Sequence, residues 1–191
     1  MANNDEILYL TVQANDRNIV DKILRGGITF TVNHTINKKD KDAVSVTYPV
    51  LRDDAASNVL NTFARKSNEY READKKSVNV DDLNKSFDAR SKLINIAGIK
   101  SITDEAISVY NEESIKAVSK FDDNLSYTYE LGIPLKYLNL PGNGSNKFSY
   151  HIKVNEIAVI KVSANAQLAP PTSTASLATT DFWGEYVLAK K

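Results

Sequence analysis

The sequence predicts a mainly β protein: an antiparallel β-sandwich forming a single domain over residues 1–191, with a helical insertion at about 53–97. Three observations carry this expectation. Apolar and polar residues alternate along several short stretches separated by turn chemistry. One charged block, residues 53–97, follows a period near 3.6 rather than two. A doubly wound parallel fold needs helices between successive strands, and only one helical block is legible.

The elements follow in order. In Ile7 to Ala14, Leu8, Leu10, Val12 and Ala14 point one way and Ile7, Tyr9, Thr11 and Gln13 the other, as in a strand with one buried face. Asn15-Asp16-Arg17-Asn18 supplies turn chemistry, and a short segment through Leu24 leads to Gly26-Gly27. Ile28, Phe30 and Val32 then face inward along a second strand that ends at His34, and Asn37 to Asp42 reads as a hairpin tip. Val44, Val46, Tyr48 and Val50 form a third strand, ended by Pro49, which cannot donate to a central ladder.

Asp53 or Asp54 is placed to cap a helix whose stripe is Ala56, Val59, Leu60, Phe63 and Tyr70. Asp81-Asp82 offers a second cap, with Leu83, Phe87 and Ile94 as the stripe and Gly98 as the stop. Short strands are expected at Ile99 to Ile102, Ala106 to Tyr110 and Ile115 to Phe121, followed by a turn at Asp122-Asp123-Asn124. Next comes "SYTYELGIPLKYL", in which Tyr127, Tyr129 and Leu131 share a face. Pro134 ends hydrogen bonding there, Gly132 relaxes the sterics beside it, and Leu135, Leu138 and Leu140 fold back over the end of the core. After a loop at residues 139–146, Phe148, Tyr150, Ile152 and Val154 line one side of another strand. Residues 164–180 read as an exposed linker, and 181–190 as a final strand.

Composition excludes several functions. Twenty-four basic residues cancel 24 acidic ones, so no overall field attracts nucleic acid or an anionic membrane surface. Without cysteine there is no disulfide framework, thiolate metal site or cysteine nucleophile, and the compartment stays open. No apolar run approaches the roughly 18 residues of a membrane span. The start of the chain lacks the basic region and cleavage site of a signal peptide and runs almost at once into a strand, which suggests a trimmed or partial chain.

No catalytic or metal constellation emerges, and no cofactor is expected. His34 and His151 lack a second ligand at a useful local spacing. The acidic pairs Asp53-Asp54 and Asp81-Asp82 are explained as helix caps and Asp122-Asp123 as a turn, while Glu130 reads as a solvent-facing strand residue. Nucleophile-elbow, phosphate-loop and calcium-loop patterns are missing. Exposed aromatic rings remain, since rings stack on the apolar faces of sugars. Trp183, Tyr186 and Tyr9 are the candidate ligand-binding residues, with Tyr110 and Tyr137 as further members of such a platform. The competing reading of Trp183 is a ring that pins the chain end to the core.

Tyr129-Glu130-Leu131-Gly132-Ile133-Pro134-Leu135, followed by a glycine-rich loop and "FSYHIKVNEI", resembles the end of a CBM9-like or DOMON-like β-sandwich. "NDEILYLTVQAND", with Asp16 as its loop acid, resembles another strand of that superfamily, and "KILRGGITFTVN", "VTYPV" and "TDFWGEYVLAKK" are similar to uncharacterised exported proteins of Bacteroidetes. The resemblance implies a periplasmic or extracellular, noncatalytic binding module whose ligand is a glycan or another extracellular molecule. Two departures stand out: the short front of the chain lacks a further strand that relatives carry, and the only methionine is Met1, which argues against heme binding. The alternative function is a structural or protein-interaction module of the cell envelope whose sheet edge or helical block meets another protein. A hydrolase is the third reading.

Overall fold

Asp16 does not close a turn; it starts a helix. Its carboxylate accepts the backbone N–H groups of Asn18 and Ile19 at 2.9 and 3.1 Å, so residues Arg17–Gly26 coil as helix α1. Val20, Ile23 and Leu24 form the buried stripe of that helix. Gly27, at φ 75°, ends it against Pro49, whose carbonyl oxygen would lie 2.6 Å from a Cβ.

The structure is a computed structural model and describes residues 1–33, 40–51, 53–72, 77–138, 140, 146–155 and 180–189, with no side-chain description for 53–55. Its strands are β1 Ala2–Asn3, β2 Ile7–Ala14, β3 Ile28–Asn33, β4 Val44–Tyr48, β5 Leu93–Ala97, β6 Ala106–Ser108, β7 Lys116–Phe121, β8 Tyr127–Pro134, β9 Lys147–Val154 and β10 Thr180–Val187. Helices α2, Asp53–Glu72, and α3, Asp81–Arg90, follow β4. Among the described residues the strands form two open sheets, one in the order β1-β2-β8-β7 and one in the order β10-β9-β3-β4-β5-β6. Every ladder is antiparallel.

With 28% helix, 41% strand and three helices beside two open sheets among the described residues, the fold is mixed α/β. This corrects the expected mainly β sandwich with one helical insertion, and it overturns the CBM9-like and DOMON-like resemblance together with the descriptors drawn from it. Two local misreadings explain the error. Helix α1 joins the two sheets and packs on β2, β9 and α2, but its "NDRN" start also satisfies the pattern of a turn. The block at 53–97 is not helical to its end, because Leu93–Ala97 is an interior strand between β4 and β6. Ile94 lies seven residues after Phe87, a spacing that imitates the next turns of a helical stripe although Ile94 belongs to a strand.

Smaller differences follow the same logic. Ile99 to Ile102 is a turn, in which the Ile102 N–H donates to the Ile99 carbonyl at 3.1 Å, and the expected strand at Ala106 to Tyr110 contracts to Ala106–Ser108. His34, residues 37–39 of the 37–42 tip, most of the 139–146 loop and residues 164–179 of the linker lie outside the described residues. Among the described residues no helix is long and apolar enough to cross a membrane.

The core is organised around aromatic rings contributed by both sheets and two helices. Phe87 of α3 meets Phe121 of β7 and Tyr127 of β8 edge-on at centroid separations of 5.8 and 6.0 Å, and Phe63 of α2 closes on Phe121 at 5.8 Å. Tyr48 of β4 stacks on Tyr129 of β8 at 5.7 Å, joining the two sheets. The Tyr48 hydroxyl donates to Ser91 Oγ at 3.1 Å, whereas the buried Tyr129 hydroxyl has no hydrogen-bond partner among the described residues. Burial pushes the Tyr129 phenol far above its ordinary range, so it stays neutral. Tyr129→Phe therefore removes an unsatisfied polar atom from the core and is expected to raise stability by about 1 kcal/mol in urea unfolding. A loss of similar size instead would mean that the hydroxyl is bonded.

An ion-pair network fastens α2 to α3. Arg65 contacts both Glu69, at 2.7 Å, and Asp82; Lys66, almost fully buried, lies 3.0 Å from Glu69 and 3.3 Å from Asp82. Desolvation favours the neutral acid at Asp82, yet the bonds from Arg65 and Lys66 outweigh it and hold the carboxyl below its ordinary 3.8. The hydrogen bond from Lys66, with that from Arg65, likewise holds Glu69 below 4.5. Both folded-state values are depressed, so the stabilisation is fully present above the unfolded values and is lost as pH falls through the folded ones. Protection of α2 and α3 amides against hydrogen exchange is thus expected to weaken below about pH 4 before that of the sheets does. Equal loss in helices and sheets would count against the network.

Candidate functional site

The three aromatic residues proposed from sequence do not meet. Trp183 pairs with His151 across β10 and β9, and the two rings stack at 4.1 Å with 11° between their planes, so one indole face is occupied. His151 Nε2 lies 2.8 Å from Asp181 Oδ2, and this hydrogen bond holds the Asp181 carboxyl below its ordinary value. Tyr186, three positions along the same strand, points to the opposite face. Its ring packs on Phe148 at 5.7 Å and its hydroxyl donates to Asn3 Oδ1 at 3.0 Å, which fastens β10 to β1. Tyr9 is exposed on the outer face of the other sheet, beside buried Leu8 and Leu10, and its hydroxyl accepts from Asn4 Nδ2 at 3.3 Å. Of the further aromatics, Tyr110 is exposed and Lys92 donates to its hydroxyl at 2.9 Å. Among the described residues no three histidine or acidic side chains converge as metal ligands.

A different region has the shape of a binding site. Among the described residues strand β7 is the last of its sheet, and helix α3 lies alongside it. Between them opens a groove of about 820 Å³, lined on the helix side by Asp81, Asn84 and Asp88 and on the strand side by Val118 through Phe121. The helix positions recur at i, i+3 and i+7, one face of α3, while Leu83 and Phe87 on another face anchor the helix in the core.

The hydrogen bonding of β7 defines what the groove presents. Asn84 acts as a substitute strand at one end: its Nδ2 donates to the Phe121 carbonyl at 3.0 Å and its Oδ1 accepts the Phe121 N–H at 2.9 Å. Phe121 thus turns its backbone groups away from β8. Antiparallel pairs alternate between bonded and non-bonded, and β7 pairs with β8 in the register Phe121↔Tyr127, Ser119↔Tyr129 and Ala117↔Leu131. The N–H and C=O groups of Ser119 and Ala117 therefore point away from β8 like those of Phe121; Ala117 is buried, and Ser119 is the one that lines the groove. Val118 faces outward from the sheet at 58% exposure, a large apolar side chain in the wall of the groove.

Sequence reasoning located β7 as a strand at Ile115 to Phe121 but not as an edge, because strand order is set by pairing between distant segments. The lysines at 116 and 120 were a usable signal, since edge strands commonly carry lysine.

No protein-family model matches the chain, and no curated protein or solved structure is significantly similar to it.

Proposed function

We propose that this chain is a noncatalytic binding module that takes up an extended polypeptide segment as an additional strand on β7, within the groove beside α3. One observation carries the reading: the outward backbone groups of Ser119 border a formed groove whose end is already closed by a side chain imitating a strand. Strand addition draws affinity from such main-chain bonds and specificity from neighbouring side-chain contacts. This develops the protein-interaction alternative. The glycan reading has weaker support, because Trp183 has one ring face covered by His151 and Tyr186 and Tyr9 lie elsewhere. A periplasmic or extracellular location rested on the family resemblance alone; a chain free of cysteine suits it and a reducing compartment equally.

Ser119→Pro tests the proposal. The substitution removes one outward N–H while leaving the bonds between β7 and β8, and an edge strand tolerates proline in that orientation. Peptides selected from a random displayed library against the intact protein are expected to bind about tenfold or more weakly to this variant. N-methylation of alternate amides in a selected peptide should have the same effect without altering the protein. Binding indifferent to both changes would overturn the proposal.

A further inference from the structure

Resting on β7 as a strand acceptor, we infer that the segment taken up is cationic, with lysine or arginine at alternate positions on the side that faces the groove. The chain as a whole has no net charge, with 24 acidic and 24 basic residues, yet the groove is strongly polarised. Asp81 and Asp88 enter it from α3, and Asp122, Asp123 and Glu130 from the sheet and its turn, against Lys120 as the one cation of the lining. Like charges gathered in a concave site repel one another, and an arriving cation relieves that repulsion. No three of these carboxylates converge in the manner of a metal site among the described residues, so the field is spread along the groove rather than focused on a point. An extended polycation matches a spread field.

The strand geometry sets where the charges of the ligand fall. A segment hydrogen-bonded to Ser119 lies roughly 4.8 Å from β7 and projects side chains alternately to the two faces. Asn84 occupies the place of its backbone opposite Phe121, which fixes the end of the added strand and hence its register. Positions two apart on the ligand share a face, so a lysine–apolar alternation presents a row of cations.

Three short capped peptides distinguish the outcomes, each alternating valine with lysine, glutamine or glutamate, with fluorescence anisotropy against the intact protein as the readout. The lysine peptide is expected to bind about tenfold tighter than the glutamine peptide at low salt, with the difference shrinking as ionic strength rises. The glutamate peptide should bind weakest. In Asp88→Asn, and more so in Asp81→Asn with Asp88→Asn, the lysine peptide should lose its advantage over the glutamine peptide. Equal binding of all three peptides, or a lysine advantage that survives the double substitution, overturns the cationic ligand and leaves the strand acceptor standing. Failure of all three to bind overturns the strand acceptor itself.

Discussion

Replacing Phe87 with alanine lowers the stability of the protein by about 3–5 kcal/mol, a large part of what a domain of this kind possesses. Phe87 is fully buried and touches three other rings: Tyr48 at 6.5 Å, Phe121 at 5.8 Å and Tyr127 at 6.0 Å. These belong to β4, β7 and β8, so the ring holds α3 against both sheets at once. The surrounding aromatics are too rigid to collapse into the vacated space, which places the cost in the upper part of the range for large-to-small changes. Guanidinium unfolding monitored by near-ultraviolet circular dichroism measures it. A loss below about 1.5 kcal/mol would show that α3 is not held by this cluster.

Gly98→Ala is the second substitution expected to act strongly, although it adds a single methyl group. Gly98 has φ +80°, and a Cβ built there lies 2.0 Å from the carbonyl oxygen of Ala43 and 2.9 Å from its carbonyl carbon. These are backbone atoms at the start of β4, which pairs with β5 through Ser45↔Ala97, so they cannot step aside without shifting the ladder. Backbone strain and overpacking each contribute about 1–3 kcal/mol, and the sum should lower the melting midpoint by roughly ten degrees. An unchanged midpoint would mean that the two segments are not packed this closely.

How far the sequence announced this molecule depends on the kind of feature. Strands with one buried face wrote themselves plainly: Leu8 and Leu10, Ile28, Phe30 and Val32, and Tyr127, Tyr129 and Leu131 alternate with exposed or half-exposed neighbours and are buried. Local periodicity fails where two patterns share the same letters. Asp16 with Asn18 serves a turn or a helix cap equally well, and Ile94 prolongs a helical stripe by accident while belonging to β5. "YELGIPL" describes how a strand leaves a core, a local necessity that recurs in unrelated folds, and so it was no guide to the whole architecture.

The site was harder still. That Trp183 and Tyr186 oppose one another follows from an odd offset along a strand and was legible by counting. That Trp183 leans on His151 was not, because it depends on the register of β10 against β9. The groove beside β7 is invisible locally: it exists because β7 pairs on one side only among the described residues and because α3, roughly thirty residues earlier in the chain, lies along the other.

Amide hydrogen exchange of the protein with and without the lysine-alternating peptide examines the strand acceptor most directly. The N–H group of Ser119 should exchange rapidly in the free protein and become protected at saturation, while those of Val118 and Lys120, already bonded to β8, are slow in both states. If the peptide binds and Ser119 exchanges as fast as before, β7 does not receive a strand.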